Sequence, residues 1–552
     1  MTTISKLLGP IPIPVGGRIL DPDLTKCFAC TPPYEHQRQW EPSPDNPNRG
    51  RTLVLCFDGT GESFDVDNSN VVQFLAMLKN DDPTKQLVYY QAGIGTYTSN
   101  VLKTPIVESA SKILDDMFAW NLADHIKEGY QFLMQNYRFG DQICIFGFSR
   151  GAFTARALAG MLQKVGLLPP CNLEQLPFAY AMYARDDDEG LRLSLQFKRA
   201  FCIDVRIKLV GVWDTVQSVG LIEKHLPFSG SNNAISYFRH ALALDERRVK
   251  FRPFLFSECS EVASDSHMIE RRQSSGKVDD SETEINIETG PPTNIEEVFF
   301  AGAHCDVGGG SVKNGERHSL ARITLRWMIR ECFKTDTGII FDAHMLRHEV
   351  GLDIDSILKA PQPLFPSTLH LRRPTGAELE GFSLRHIPTV IVHWLVSPFR
   401  WIWVSLSQLR VQDSSQFLRS LEQRRPISKG EPLEELNDAL SPIVDQIKMH
   451  PGWNIVEWIP WLVKRQNAEA DDHFWAYKWI WNRGKGREVH HQVIERGMKV
   501  HRSVRTRMLA FPMDGGNRLY LPKIRFKVDG ELRCLTREEW LADNPEYFVW
   551  AD

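Results

Sequence analysis

Two glycines around a serine carry the strongest chemical signal in the chain: Gly147-Phe148-Ser149-Arg150-Gly151. Four apolar residues, Ile143-Cys144-Ile145-Phe146, stand immediately before it, and Phe153, Ala157, Leu158, Met161, Leu162 and Val165 follow at helical spacing. Strand, sharp turn and helix make the setting of a nucleophile elbow, where small residues permit a turn tight enough to project a serine hydroxyl out of a sheet. The N–H of Arg150 then falls at a helix N-terminus, a place suited to stabilising an oxyanion. The alternative is a serine that merely caps the helix.

A serine hydroxyl becomes a useful nucleophile only when a base accepts its proton, and that base needs an acid to orient it. In α/β-hydrolases the chain order is serine, then Asp or Glu, then histidine. Downstream, Asp214 ends the apolar run Lys208-Leu209-Val210-Gly211-Val212-Trp213 and precedes Thr215. That position puts its carboxylate at the end of a strand, where ligands bind in open α/β sheets. Its alternative role is to cap a helix starting near Thr215. The candidate base is His304, in Phe299-Phe300-Ala301-Gly302-Ala303-His304-Cys305-Asp306-Val307-Gly308-Gly309-Gly310. A strand, a histidine and a glycine-rich loop suit an imidazole that reaches back to the elbow. Asp306 lies too near His304 to orient it and is expected to shape the loop.

Asp58-Gly59-Thr60-Gly61 follows another apolar strand, Leu53-Val54-Leu55-Cys56-Phe57. An aspartate-based phosphatase would need an aspartate two positions before Asp58, where this chain has Cys56. The turn is instead expected to supply a second oxyanion N–H, from Gly59 or Thr60, with Asp58 bracing it through hydrogen bonds.

These groups need a scaffold, and the chain provides the material for one. It has 552 residues, 42% hydrophobic and 24% charged, with a formal net charge of −4. Such ordinary globular usage excludes wholesale disorder and fibrous folds, and the charge balance argues against a protein held to nucleic acid by phosphate contacts. Apolar runs at Leu53–Phe57, Leu87–Tyr90, Ile143–Phe146, Ile207–Trp213 and Val298–Phe300 alternate with helical patterns, such as Leu122, Ile126, Tyr130, Leu133 and Tyr137. Continuous apolar strands between helices predict an α/β fold, a mostly parallel sheet covered by helices on both faces. A proline-rich extended arm is expected over 1–50, the catalytic domain over 51–335 with a polar insertion at 272–293, and an accessory, mainly helical region over 336–552.

Eleven of the fifteen tryptophans fall beyond residue 390. This Trp-rich part reads either as a packed subdomain or as a lid or interfacial surface touching a membrane, since Trp and Arg suit the headgroup layer. The apolar stretch from Ile387 to Leu406 is broken by Pro388, His393, Pro398 and Arg400, against a membrane-spanning helix. The N-terminus lacks the features of a secretory signal, and the ten cysteines are scattered. Cys27 and Cys30 form a C-x-x-C without a second pair at zinc spacing. The expected compartment is the cytoplasm, with membrane association at most peripheral, and no metal or cofactor is expected.

Taken together, Phe57-Asp58-Gly59-Thr60, Gly140-Asp141, Gly147-Phe148-Ser149-Arg150-Gly151-Ala152, Val212-Trp213-Asp214-Thr215-Val216 and His304-Cys305-Asp306-Val307-Gly308-Gly309-Gly310 stand in a telling order. They resemble the α/β-hydrolase domain of the type VI secretion phospholipase effectors and related uncharacterised fungal and bacterial proteins. The resemblance spans roughly residues 51–335, and it implies a triad of Ser149, Asp214 and His304. Cys305 stands where serine is usual, and the 272–293 stretch is an insertion. The implied activity is a serine hydrolase that cleaves a carboxylic ester, with lipid or phospholipid acyl esters as the expected class. The competing reading is a non-catalytic interaction module on a hydrolase scaffold.

Overall fold

Thr52–Phe57 (β1) is apolar after its first residue, and all six positions are buried. A strand covered on both faces needs no polar alternation; its alternation decides which of two cores each side chain enters. Leu53, Leu55 and Phe57 enter one core, Val54 and Cys56 the other. The remaining strands are β2 (Gln86–Gln91), β3 (Gln142–Phe148), β4 (Ile207–Trp213), β5 (Ile235–Ala243) and β6 (Asn294–Phe300), then β7 (Trp461–Gln466), β8 (Trp475–Ile480), β9 (Lys499–His501), β10 (Phe526–Val528), β11 (Glu531–Arg533) and β12 (Val549–Ala551). Eight strands form one sheet in the order β12-β9-β6-β5-β4-β3-β1-β2, and each pairing in it is parallel. β7–β8 and β10–β11 are antiparallel hairpins.

This computed structural model describes residues 50–59, 66–93, 107–216, 226–256, 291–354, 357–358, 431–449, 452–466, 475–510, 520–542 and 545–552. The proline-rich arm through residue 49, Cys27, Cys30, Thr60, the 272–290 part of the insertion and the Ile387–Leu406 stretch lie outside the described residues.

Helices cover both faces of the sheet. On one side α1 (Asn70–Ala76) and the long helix Ala321–Lys334 bury Val71, Phe74, Ile323, Trp327 and Met328. On the other, the helix Val107–Asn136 contributes Leu122, Ile126, Tyr130 and Leu133, and the helix Ser149–Val165 contributes Phe153, Leu158 and Leu162. The fold class is therefore α/β, doubly wound. The sheet continues past residue 335: β9 pairs with β6 and β12 with β9. Val500, Val504, Met508, Trp540 and Phe548 share the core that holds Phe146 and Trp213. The helix Glu431–Ala439 is fastened to the helix Ala321–Lys334 by Arg326 to Asp438 at 2.7 Å and Arg330 to Glu431 at 2.5 Å.

The chain passes from β1 outward to β2 and returns to lay β3 on the other side of β1. Such a reversal opens a crevice beyond the carboxyl ends of the two diverging strands. The residues that follow β1 and β3 are Asp58-Gly59 and Ser149-Arg150. Arg51 and Asp141 tie the opposite ends of these strands together, with a 2.7 Å contact between Nη2 and Oδ2.

Candidate active site

Ser149 is the first residue of its helix and has φ 58°, in the left-handed region. A non-glycine residue held there costs on the order of 1–3 kcal/mol and persists only where its surroundings fix it. The two flanking glycines serve different contacts. A Cβ at Gly147 would lie 2.6 Å from the Gly151 carbonyl oxygen, inside the first turn of the same helix. A Cβ at Gly151 would collide with the carbonyl oxygens of Phe57 and Asp58, so only glycine lets the helix start against the end of β1. The helix cap is Phe148, and the Ser149 hydroxyl points elsewhere.

It points to His304. The Oγ lies 2.8 Å from His304 Nε2, and His304 Nδ1 lies 2.6 Å from Asp214 Oδ2. A carboxylate can only accept, so Nδ1 carries the hydrogen and Nε2 accepts from the serine hydroxyl. Ser149, Asp214 and His304, drawn from three distant stretches of sequence, thus meet in one buried, hydrogen-bonded series. The expected glycine-rich loop after His304 begins as a one-turn helix, His304–Gly308. Gly308 is there for a steric reason, because a Cβ would fall within the Phe148 ring. That ring packs on the His304 imidazole at 4.7 Å between centroids, and Phe251 meets it edge-on at 4.8 Å.

Asp214 is fully buried, with φ 38°. Its carboxylate caps no helix among the described residues. Oδ1 accepts from the Ala243 N–H at 3.0 Å and from Arg487 Nη1 at 2.6 Å, while Oδ2 accepts from Arg487 Nη2 at 2.7 Å. Burial alone would raise this carboxyl; the Arg487 guanidinium, with His304, holds it far below the usual carboxylate range. Burial also dominates at His304, pushing the imidazole below its ordinary value despite the pull of Asp214, so the ring is uncharged at neutral pH.

Neighbouring groups hold the frame. Glu246 Oε2 accepts the His304 N–H at 3.2 Å and pairs with Arg248 at 2.8 Å. Buried His240 accepts the Thr215 N–H at 3.0 Å through Nε2 and contacts Glu297 at 2.8 Å through Nδ1, fixing the backbone just past Asp214. Asp306 accepts the Ala303 N–H at 2.8 Å and the Val444 N–H at 3.0 Å, and burial raises its carboxyl to about 7. Asp58 accepts the Gly59 N–H at 2.8 Å, the Ser69 hydroxyl at 2.7 Å and the Tyr90 hydroxyl at 2.9 Å. The Gly59 N–H is therefore directed at the Asp58 carboxylate, and Thr60, the other expected donor from this turn, lies outside the described residues. Arg150 occupies the first helical turn, whose N–H groups point out along the axis. Among the described residues no cluster of three or more His, Cys, Asp or Glu side chains is placed to hold a metal.

Sequence reasoning missed Arg487, Glu246, His240 and Phe251. His240 sits inside β5 and had a weak signal as a polar residue in an apolar strand. Arg487 had none, being one basic residue in a segment without a motif.

A doubly wound parallel sheet with this serine at the turn after β3 places the protein among the α/β-hydrolase-like folds. The family model described as the catalytic domain of the type VI secretion, Tle1-like phospholipase effectors matches residues 51–331. That is about half of the chain, and the chain belongs to this family. Over 224 residues it is 37% identical to an uncharacterized protein of Saccharomyces cerevisiae, a match covering 38% of this chain and 33% of the yeast protein. The match thus spans a third of that relative's length. Among solved structures, an uncharacterized protein from Pseudomonas aeruginosa is similar over 75% of this chain and 64% of its own, at 16% identity and a TM-score of 0.30. The Tle1 effector bound to the VgrG spike of the type 6 secretion system is similar over 49% of this chain and 53% of its own, at 17% identity and a TM-score of 0.24.

Proposed function

We propose that this protein is a serine hydrolase that cleaves lipid or phospholipid acyl esters through an acyl-enzyme. The observation that supports it most is the 2.8 Å and 2.6 Å pair of contacts joining Ser149, His304 and Asp214. Ser149 Oγ attacks the ester carbonyl while His304 Nε2 takes the hydroxyl proton and passes it to the leaving alcohol. Water then attacks the acyl-enzyme, with His304 again as the base, and the carboxylic acid departs. Asp214 keeps the proton on Nδ1 and balances the imidazolium that forms. The Arg150 N–H is the oxyanion donor in this reading; the Gly59 N–H, engaged by Asp58, is not used.

Lipid as substrate class rests on the family, whose description names a phospholipase effector. A surface near the site fits such a substrate. Trp458, Trp479 and Trp481 are 59%, 64% and 54% exposed, and Arg483 lies over the Trp458 and Trp481 rings at 5.3 Å and 5.8 Å. Trp453 in the same segment packs on Phe251, which touches His304. Exposed Trp beside Arg suits the headgroup layer, so the reading includes peripheral membrane contact. No described helix is long and apolar enough to cross a membrane.

The test is turnover of short-chain nitrophenyl esters and of phospholipid vesicles by the wild type and Ser149→Ala. The wild type should hydrolyse at least one class, and the variant should lose on the order of a thousandfold or more. Hydrolysis that survives the substitution refutes the mechanism, and a wild type inert to every ester leaves the interaction-module alternative.

A further inference from the structure

Arg487 lies well beyond the segment that the family model matches, yet its guanidinium is built into the site. Nε donates to the Phe251 carbonyl at 2.9 Å, Nη1 to Asp214 Oδ1 at 2.6 Å and to the Ala243 carbonyl at 3.2 Å. Nη2 donates to Asp214 Oδ2 at 2.7 Å and to the Phe251 carbonyl at 2.5 Å. These contacts use all five N–H donors of an arginine, so the fork has one orientation. Its backbone is equally fixed: the Arg487 carbonyl accepts the Arg525 N–H at 2.8 Å, and a Cβ at Gly486 would collide with the Lys523 carbonyl.

We propose that Arg487 is a positioning residue of the hydrolytic site, which the C-terminal part of the chain supplies to hold the Asp214 carboxylate against His304. This rests on the reading of Ser149, His304 and Asp214 given above and adds a fourth member to it. Two consequences follow from the geometry. The bidentate fork fixes the plane of the carboxylate, and with it the oxygen that receives His304 Nδ1–H. It also offsets the charge of Asp214, which alone would draw a proton onto the imidazole. Burial opposes that proton as well, and the Glu246–Arg248 pair facing His304 acts on the imidazole in opposite directions. Ser149 is neutral, Phe148 and Phe251 are apolar, and Glu246 is paired with Arg248. His240, near Asp214, is paired with Glu297. The hydrolase sheet of residues 51–331 is therefore incomplete without the segment that carries Arg487.

The experiment compares kcat/KM against pH for the full chain and for Arg487→Met, Arg487→Lys, Asp214→Asn and Asp214→Asn/Arg487→Met, with Ser149→Ala alongside. Arg487→Met should lose about 100-fold, the scale of a misplaced catalytic group. Its acidic limb should move up by about one pH unit as unbalanced Asp214 draws on the imidazole proton. Arg487→Lys, which keeps the charge and loses the fork, should leave the limb in place and recover part of the rate. On the Asp214→Asn background, adding Arg487→Met should cost less than about threefold, because the partner through which it acts is gone. If Arg487→Met does not fold, the double variant carries the test, since it buries no unpaired charge. It should then fold and match Asp214→Asn. A wild-type rate and limb in Arg487→Met would overturn the inference, as would a further tenfold loss in the double variant. So would failure of both variants to fold while Arg487→Lys behaves as wild type. Activity surviving in Ser149→Ala would instead refute the underlying mechanism.

Discussion

Asp214→Asn removes one charge and almost no volume, so its consequences can be worked out atom by atom. Both carboxylate oxygens face only donors: the Ala243 N–H and Arg487 Nη1 at Oδ1, His304 Nδ1 and Arg487 Nη2 at Oδ2. An asparagine must turn its NH2 toward one of these pairs. If the NH2 takes the Oδ2 position, it meets His304 Nδ1 as a donor and drives the imidazole to the other tautomer, with the hydrogen on Nε2. That ring then donates toward Ser149 and cannot take the hydroxyl proton. If the NH2 takes the Oδ1 position, it opposes the Ala243 N–H and half of the guanidinium. Either way Arg487 is left buried without its counter-charge. A wrong tautomer in a serine-hydrolase triad costs on the order of 10⁴ in kcat, about 5 kcal/mol of barrier. The buried, unpaired guanidinium costs about 3–5 kcal/mol of stability. The assays are steady-state hydrolysis of a soluble ester and urea unfolding, each at pH 7.5. Activity within tenfold of the wild type, with the protein folded, would refute the role given to the Asp214–His304 contact.

Two more outcomes follow from burial and exposure. His501 is buried and stacked on Phe300 at 4.8 Å, and burial lowers its imidazole to about 4. The folded state then binds fewer protons than an unfolded chain with an ordinary value of about 6.5, so stability is complete above that value and falls as pH drops toward 4. At pH 5 this one group costs about 2 kcal/mol. His501→Asn, which keeps a capping acceptor for the Ser503 N–H, should flatten the urea-midpoint slope between pH 7 and pH 5, and an unchanged slope would contradict the burial argument. Replacing Trp458, Trp479 and Trp481 together by serine should sharply weaken co-sedimentation with anionic phospholipid vesicles while leaving soluble-ester hydrolysis near the wild-type rate. Equal sedimentation would remove this surface from the account.

Most of the sheet and the three candidate site residues were legible because their signals are local. An apolar run between helices reads as a buried strand wherever it falls, and β1 to β4 and β6 follow those runs; β5 was not read from the sequence, because Ser236, Arg239 and His240 interrupt its apolar pattern. Ser149 stands between glycines whose absent Cβ atoms make room for the turn, a requirement visible within five residues. Asp214 and His304 could be found because each follows the end of an apolar strand, where an open α/β sheet exposes its side chains. The turn after β1 was legible only in part. Asp58 braces it by accepting the Gly59 N–H, which cannot then point into the site as the glycine pattern suggested. The one-turn helix at His304 is too short to show a period. β9 and β12 have three residues each, and nothing in such short runs announces that they extend the sheet. Arg487 is the clearest case of the non-local, since its role comes entirely from the fold that brings a distant segment against Asp214.

The central claim is that one hydroxyl, at Ser149, is made nucleophilic. Covalent labelling by a fluorophosphonate, followed by intact-mass and peptide mass spectrometry, tests it most directly. A single adduct should form and map to Ser149, and folded Ser149→Ala should stay unlabelled. Labelling of the folded variant at the wild-type rate, or an adduct on another residue, would contradict the account.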